Sequence, residues 1–416
     1  PIGVIEELDR KKNESGVLGR NSRQTSRILD KYSELGDIRV GVPFGEDREG
    51  KIRVVYNGAL GTYKKEKDVD FHVLHMAAII REEDPDNECI VISRDTNVRL
   101  KAQALGFTSN NYKTGEICIR DGIDDGYVEI KVNRKTYAEL KINNECDIED
   151  VFGEEIPWAN YYILIEGPKG EKHINARVSY DRKRVERLIG CPKEMKIKPK
   201  NKEQAFALDA ILDPDIFLVS LIGLAGSGKT LIATAAGEFL VEQEDKYEKL
   251  LISRPIQPMG NDIGFLPGDI NEKLDPWMQP IYDALEIIHQ SNKVQNDSKK
   301  GSKKISGKKI AEASDKIFIE PLTYIRGRSI HNQYVIVDES QNLTPLEIKT
   351  IITRAGENTK IILTGDIEQI DNPYLDTKTN GLSVVLDAFK DSKYAAHIVM
   401  KDGVRSILSE EAAKRL

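Results

Sequence analysis

Short apolar runs alternate with amphipathic stretches from about residue 196 to Leu416. Runs of this kind, bounded by polar residues, are typical of buried strands, and strands that alternate with helices indicate a parallel sheet. The pattern therefore predicts an α/β domain with a parallel sheet over 196–416. Its predicted strands are IFLVSLIG, YEKLLISR, DKIFIEP, QYVIVDES and TKIILTGD.

A similar alternation over 1–110 predicts a second α/β domain. Apolar residues at helical spacing predict helices over 20–35, 70–80 and 97–107. The run 89–95 is typical of a strand with a carboxylate just past its end, and 2–12 is predicted to pass from an apolar strand into a helix. We expect strands and helices to form a parallel α/β fold here as well.

Residues 111–195 show a different pattern. Short β-type runs are separated by Asn, Gly and Lys turns, which predicts a small antiparallel or barrel-like module. The sequence leaves three roles open for it, since it could bind nucleic acid, position another domain, or serve as a spacer. The runs are 127–133, 136–142, 161–167 and 173–179.

Composition limits the partners and the compartment. The net charge is −7, so any nucleic-acid binding must rest on local patches rather than on global charge. The four cysteines are far apart and form no C-x-x-C pair, which argues against disulfides and a zinc site and favours a reducing compartment. No run is long and apolar enough to cross a bilayer, and no signal peptide is visible. We therefore expect a cytoplasmic protein that does not contact membranes.

The stretch GLAGSGKT, residues 223–230, matches the pattern G-x-x-x-x-G-K-[ST]. Glycines let the backbone wrap around anionic oxygens, the lysine reaches the β- and γ-phosphates, and the threonine hydroxyl binds Mg²⁺. A flexible turn would not require an apolar strand before it and an Ala-rich helix after it, so we expect a site for ATP and Mg²⁺. The predicted nucleotide-binding residues are Gly223, Leu224, Ala225, Gly226, Ser227, Gly228, Lys229, Thr230 and Leu231.

Polar groups follow two later predicted strands. Asp338 and Glu339 follow YVIV, where Asp338 would hold the metal with Thr230 and Glu339 would orient or deprotonate the attacking water. Asp366 and Gln369 follow IILTG and would contact the γ-phosphate or its water. The alternative is a set of solvated acids, which the neighbouring phosphate loop disfavours.

Gln204 lies in a predicted helix before the loop strand. Its amide would contact the adenine edge, although a surface position is an equally good interpretation.

Together with these motifs, LLISRPIQPMGNDIGFLPGDINEKLDPWMQPIYDAL, LTYIRGRSI, VIVDESQNLT and TGDIEQIDNPYLD make residues 196–416 resemble a PhoH-like ATPase. That family is similar to the nucleotide-binding half of superfamily-one helicases, with which it shares D-E-x-Q and G-D-x-x-Q. The resemblance implies catalytic roles for Lys229, Asp338, Glu339 and Gln369. It also implies a ring-like homo-oligomer, such as a hexamer, in which an arginine enters the neighbouring site.

The arginine that acts in trans is not fixed by the sequence. Arg405 is our preferred candidate, with Arg326 and Arg328 as alternatives. Each could equally form a structural ion pair. Arg254, in SRPIQP, is placed near the phosphates or on a nucleic-acid path.

The first 110 residues resemble a PIN domain, a nuclease fold whose clustered carboxylates bind Mg²⁺ or Mn²⁺. The resemblance places metal-binding acids at Glu7, at Asp70 with Asp68 as its rival, and at Asp95 with Asn97 nearby. The family's first strand, which ends in Asp, has no counterpart here. Either the chain is trimmed before this strand or the acid set is incomplete, and from the chain as written we expect weak or absent cleavage.

The motifs together predict an ATP-dependent, helicase-like ATPase that remodels single-stranded RNA and is coupled to a PIN-type endoribonuclease domain. The alternative is a nucleotide-gated RNA-binding scaffold with little unwinding or cleavage, and a kinase is a third interpretation. The paired D-E-x-Q and G-D-x-x-Q signatures favour water activation over transfer to another acceptor.

Overall fold

The computed structural model describes residues 1–13, 17–44, 50–56, 69–93, 95–110, 126–168, 171–255, 270–296, 306–322, 329–372 and 375–401. The chain folds as two compact units, Pro1–Thr114 and Gly115–Leu416. In the described part of the chain, no helix combines the length and the apolar character that a membrane span needs.

The described residues of the first unit form four helices and two small sheets. Its core is formed where α3 and α4 pack against the parallel pair β3–β4, around Leu74, Val91, Val98 and Phe107. This parallel pairing confirms the predicted α/β character of the unit. The elements are α1 (Ile2–Lys11), α2 (Val17–Ser33), β1 (Val42–Phe44), β2 (Gly50–Ile52), α3 (Val69–Glu83), β3 (Ile90–Ile92), α4 (Thr96–Ala104) and β4 (Thr108–Asn110).

The strand predicted at the start of residues 2–12 is wrong, because α1 already begins at Ile2. Ile5 and Leu8 lie three residues apart and are both half-buried, whereas Val4 is 40% exposed. A spacing of three places side chains on one face of a helix, so the apolar residues here mark a helix face rather than a strand.

The second unit begins with a five-stranded mixed sheet in the order β5-β7-β8-β9-β6. The pair β5–β7 is parallel and the other three pairs are antiparallel, so the sheet is neither fully antiparallel nor a barrel. The elements are β5 (Tyr127–Lys131), α5 (Arg134–Asn143), β6 (Glu145–Asp147), α6 (Glu149–Phe152), β7 (Tyr162–Glu166), β8 (Ile174–Val178) and β9 (Arg184–Arg187).

The run 136–142, predicted to be a strand, is also wrong because it belongs to helix α5. Asn133 starts this helix by accepting hydrogen bonds from the backbone N–H groups of Lys135 and Thr136. Tyr137 and Leu140, three residues apart, are both buried against the sheet. The N-cap and the spacing of these two residues were the signals that favoured a helix.

The rest of the second unit is built on a six-stranded sheet whose neighbouring strands are all parallel, in the order β12-β11-β13-β14-β10-β15. The five predicted strands are confirmed as β10 to β14. Because β14 lies between β10 and β13, the carboxyl ends of these three strands meet.

The elements of this part are α7 (Lys202–Leu212), β10 (Leu218–Gly223), α8 (Lys229–Glu238), β11 (Lys249–Arg254), α9 (Ile270–Asn296), α10 (Gly307–Ala313), β12 (Ile317–Pro321), β13 (Gln333–Val337), α11 (Pro345–Ile352), β14 (Lys360–Gly365), α12 (Gly381–Phe389) and β15 (Ala395–Met400).

A buried charge cluster joins the five-stranded sheet to α7. The guanidinium of Arg177, on β8, lies 2.5 Å from Asp213 and 3.4 Å from Asp209. The hydroxyl of Tyr162, on β7, donates to Asp209 at 3.1 Å. Burial raises the pKa of Asp209 to about 6, while the nearby Arg177 acts in the opposite direction. The five-stranded sheet is therefore held to α7 by charges that have little access to water.

Lys360 fixes the carboxyl end of α7. Its side chain is fully buried, and its ammonium donates to the carbonyls of Ala210, Ile211 and Asp213 at 3.3, 2.8 and 2.5 Å. The last carbonyls of a helix have no partners within the helix, so this lysine on β14 satisfies them. Burial lowers the pKa of Lys360 to about 7.

Replacing Arg177 by Met should destabilise the protein by about 3 kcal/mol, because it leaves two buried carboxylates without their cation. Urea denaturation followed by circular dichroism would measure the loss. Arg184→Met is the matched control, since Arg184 is paired with Glu145 on an exposed surface and should cost no more than about 1 kcal/mol. Equal effects of the two substitutions would contradict the cluster's role.

The raised pKa of Asp209 also gives the stability a definite pH dependence. Asp209 binds its proton more tightly in the folded than in the unfolded chain, so its contribution is full below pH 3.8 and is lost as the pH rises to about 6. The stability of the wild type relative to Asp209→Asn should therefore fall between pH 4 and 6. A difference in stability between the two proteins that stays constant from pH 4 to 6 would contradict this prediction.

Candidate nucleotide site

The loop between β10 and α8 has a backbone that only glycine tolerates at its key positions. Gly223, Gly226 and Gly228 have φ values of +147°, +83° and +91°. A Cβ atom on Gly223 would lie 2.1 Å from the carbonyl oxygen of Met400, and one on Gly228 would lie 2.8 Å from the amide nitrogen of Gln204. The glycines are therefore required both for the turn and for close contact with neighbouring segments.

Lys229 begins α8 and is only 9% exposed. Its ammonium donates to the carbonyls of Gly223 and Leu224 at 2.5 and 2.9 Å, so the side chain lies over the loop. The loop thus brings a cation and the N–H groups of a helix start to the same place. That combination suits the binding of phosphate.

Asp338 lies just past β13 and is buried. Its Oδ1 accepts a hydrogen bond from the Thr230 hydroxyl at 2.9 Å and another from the Thr364 hydroxyl at 2.5 Å. Thr230 belongs to α8, which follows β10, and Thr364 lies near the end of β14. The structure therefore brings the predicted Thr230 and Asp338 together, as the shared end of the parallel strands requires.

Glu339 follows Asp338 in a left-handed backbone conformation, with φ +52°. One of its oxygens accepts from Arg254 at 3.1 Å, and the other accepts from Gln341 at 2.6 Å. Burial raises the pKa of Glu339, and the neighbouring Asp338 raises it further, while Gln341 and Arg254 lower it. A raised pKa makes this carboxylate a stronger base than an ordinary glutamate.

Gln341 links the two acidic strand ends. Its amide nitrogen also donates to the backbone carbonyl of Gln369 at 2.9 Å, and its amide oxygen accepts from the backbone N–H of Asp366 at 3.1 Å. The predicted Asp366 and Gln369 are therefore connected to Glu339 through one side chain. Gln369 takes part through its main chain, and its side chain is exposed.

The residues present fit a magnesium-bound triphosphate. Thr230 and Asp338 supply hydroxyl and carboxylate oxygens, the donors that Mg²⁺ prefers. Among the described residues, the Ser227 hydroxyl and the Asp366 Oδ2 are buried without a hydrogen-bond partner. Such groups are costly unless something satisfies them, so the Ser227 hydroxyl favours a polar ligand at this loop and the Asp366 oxygen favours a polar group at the end of β14.

Gln204 lies on α7 and is 5% exposed. Its amide donates to the carbonyl of Ser227 at 3.0 Å and accepts from the backbone N–H of Lys200 at 2.8 Å. The residue therefore braces the phosphate loop, a role that its sequence position did not reveal. A contact with adenine stays a prediction.

Two residues of the site were missed by the sequence reasoning. Thr364 was visible only as one polar residue near the end of an apolar strand, and Gln341 as the last residue of D-E-x-Q. A hydroxyl in a fully buried strand needs a partner, and that requirement was the available signal for Thr364.

The acids predicted for a second metal site belong to the first unit. Glu7 forms an ion pair with Lys11 at 3.2 Å, and Asp70 forms one with Lys101 at 3.3 Å. Asp95 starts α4 and accepts from the N–H groups of Asn97 and Val98.

Across the described ranges, no three or more His, Cys, Asp or Glu residues gather in a way that could hold a metal ion. The structure therefore does not bring Glu7, Asp70 and Asp95 into one such group. Asp68, the rival of Asp70, and the three candidate arginines Arg326, Arg328 and Arg405 lie outside the described residues. Arg254, the other arginine considered in the sequence analysis, lies within the described residues. It forms ion pairs with Asp338 and Glu339.

Comparison with known proteins assigns two separate parts of the chain to two families. The family model described as PhoH-like protein matches residues 196–415, and that of the PIN domain matches residues 1–113. Protein PhoH2 of Bacillus subtilis (strain 168) is 37% identical over 100% of this chain and 93% of its own length. Protein PhoH2 of Thermobispora bispora is 31% identical over 98% of this chain and 88% of its own length.

A crystal structure of Pif1 helicase from Candida albicans overlaps 52% of this chain and 43% of its own, with a TM-score of 0.27 and 15% identity. A similarity this low carries no argument about mechanism.

The PhoH-like match and the P-loop fold support an ATPase, and the PIN match adds a nuclease-type domain. Domains of these two kinds generally use ATP and a divalent metal ion. The chain belongs to the PhoH-like proteins, in the arrangement that joins an amino-terminal PIN domain to a P-loop ATPase domain.

Proposed function

We propose that this chain hydrolyses ATP to remodel single-stranded RNA and that its PIN domain is a metal-dependent endoribonuclease. The observation that carries the proposal is the hydrogen bond from Thr230 to Asp338. It joins the lysine-bearing loop to the acids of the neighbouring strand end, which is the arrangement that hydrolysis of a nucleoside triphosphate needs.

Each residue of the site has a separate task. Lys229 and the N–H groups of the loop bind the β- and γ-phosphates. Thr230 and Asp338 would hold Mg²⁺, which neutralises phosphate charge when bound. Glu339 accepts a proton from the water that attacks the γ-phosphorus, while the bond from that phosphorus to the leaving oxygen of ADP breaks. Arg254 keeps Glu339 close to Asp338 through ion pairs to both carboxylates.

Gln341 would couple hydrolysis of the γ-phosphate to the segment after β14. It bonds to Glu339 and to the backbone at Asp366 and Gln369, so a change at the γ-phosphate would alter the segment after β14. We propose that this segment transmits the nucleotide state to bound RNA. An arginine in trans, Arg405 by preference, would complete the site in a ring-like homo-oligomer.

The nuclease part of the proposal rests on the PIN match. Glu7, Asp70 and Asp95 would bind Mg²⁺ or Mn²⁺ once the ion pairs of Glu7 and Asp70 with lysines open. The need to break these pairs, and the lack of one compact acid group among the described residues, lead us to expect slow cleavage.

Lys229→Ala and Glu339→Gln should each lower ATP turnover at least a hundredfold, because one removes the phosphate cation and the other the base. Both should also abolish ATP-dependent displacement of a strand from an RNA duplex with a single-stranded tail. Lys249→Ala and Glu248→Gln, on the same domain, are the controls and should retain wild-type turnover. ATP-modulated RNA binding without displacement by the wild type would favour a nucleotide-gated scaffold instead.

Thr364→Val should lower ATP turnover roughly tenfold while costing about 1 kcal/mol of stability, because Asp338 loses one of its two hydroxyl donors. Steady-state kinetics and thermal melting of the same preparation would separate the two effects. Thr364→Ser should restore most of the turnover. Thr350→Val, which removes a hydroxyl that bonds within α11, is expected to leave turnover unchanged.

A further inference from the structure

Four exposed aromatic residues of the second unit are connected to one another through a few direct contacts. Trp158, Tyr180, Phe217 and Tyr394 are 43, 60, 45 and 51% exposed. Among the described residues of 115–416, these are all the strongly exposed aromatic side chains. We call this set the aromatic surface.

Two contacts bring the members of the aromatic surface together. The rings of Phe217 and Tyr394 lie 5.7 Å apart, and the backbone N–H of Phe217 donates to the carbonyl of Tyr394 at 2.9 Å. The Asn160 amide donates to the carbonyls of Lys393 and Ala395, on either side of Tyr394, at 3.0 Å each. Asn160, just before β7 of the five-stranded sheet, thereby contacts the segment that carries Tyr394, just before β15 of the six-stranded sheet.

Trp158 and Tyr180 are tied to the same point. Trp158 precedes Asn160 by two residues, a span of at most about 7 Å. The backbone N–H of Asn160 donates to the carbonyl of Val178 at 3.0 Å, and Tyr180 follows Val178 by two residues. Trp158, Tyr180 and Tyr394 therefore each lie within two residues of buried Asn160 or of a residue that Asn160 hydrogen-bonds. Phe217 contacts Tyr394 directly.

The aromatic surface lies at the opposite edge of the sheet from the nucleotide. Phe217 and Tyr394 immediately precede β10 and β15, whereas the phosphate loop and Asp338 follow the carboxyl ends of β10 and β13. The proposed ATP chemistry uses none of these rings.

Two cations accompany the rings. The Arg182 guanidinium lies 6.0 Å from the Trp158 ring, and the Lys393 ammonium lies 5.1 Å from the Tyr394 ring. Arg182 donates to the carbonyls of Pro157 and Ile156, and in the described part of the chain neither cation has a carboxylate within ion-pair distance. Asp181 is close by, but its carboxylate accepts from Ser179 and Lys183 within its own turn.

We propose that the aromatic surface binds single-stranded nucleic acid, with bases stacked on the rings and phosphates near Arg182 and Lys393. Exposed rings beside unpaired cations are the combination that binds single strands without sequence preference. The choice of RNA as the first probe rests on the proposed function; the surface itself does not depend on ATP.

The test uses the full chain and fluorescein-labelled oligouridylate, with oligodeoxythymidylate in a second arm to distinguish RNA from DNA. Fluorescence polarisation should show that the double variant Phe217→Ala, Tyr394→Ala binds at least tenfold more weakly. Arg182→Gln with Lys393→Gln should reduce the slope of log affinity against log salt. Ile142→Ala, at a 77% exposed apolar position on α5, is the control and should bind as the wild type does.

The fluorescence of Trp158 tests directly whether nucleic acid contacts the aromatic surface. The chain has two tryptophans, so the variant Trp277→Phe leaves Trp158 as the only indole, and its fluorescence should be quenched when oligouridylate binds. ATP turnover without RNA should be unchanged in the Phe217 and Tyr394 variants. A chain that binds RNA but hydrolyses no ATP would defeat the proposed function and leave this inference standing.

Wild-type affinity in the double variant, with no quenching of Trp158, would overturn the inference. A double variant that keeps its RNA affinity but loses oligomeric mass in light scattering would also overturn it, because the surface would then join copies of the chain.

Discussion

The carboxylate of Asp338 connects the carboxyl ends of three neighbouring strands, β10, β13 and β14. It accepts one hydroxyl from the helix after β10 and one from β14, and it follows β13 itself. The phosphate loop is joined to this group through Thr230, Glu339 follows it directly, and β14 is joined to it through Thr364. A buried carboxylate with two hydroxyl donors is also poised to exchange them for a metal ion and its ligands. The geometry of the candidate site therefore depends on the contacts of this one carboxylate.

Helix α7 connects this site to the five-stranded sheet. Near its amino end, Gln204 braces the loop at Ser227; its later turns are held by Arg177 through buried ion pairs and by Lys360 through its terminal carbonyls. Because the cluster around Arg177 is buried, movement of the five-stranded sheet would disturb α7 rather than slide past it. This sheet is thus physically continuous with the phosphate loop, which weakens the interpretation of residues 111–195 as a spacer.

The sequence was informative where chemistry constrains residue type and spacing. The phosphate loop, the two acids after β13 and the five strands followed from such patterns. Thr364 and Gln341 were missed because their partners come from other strands, and only the strand order shows which ends meet. The strands predicted at 2–12 and 136–142 failed because β-type residues there occupy one face of a helix. The three PIN acids matched a local pattern, yet local pattern does not determine which carboxylates converge.

Gly223 has a consequence that reaches beyond phosphate binding. Since a methyl group there would collide with the carbonyl of Met400, the loop's first glycine is also what allows β15 to lie alongside β10 up to its last residue. A larger residue would push the edge strand outward and shear the sheet. Loss of activity on changing Gly223 would consequently reflect a disturbed sheet edge as much as a lost phosphate contact.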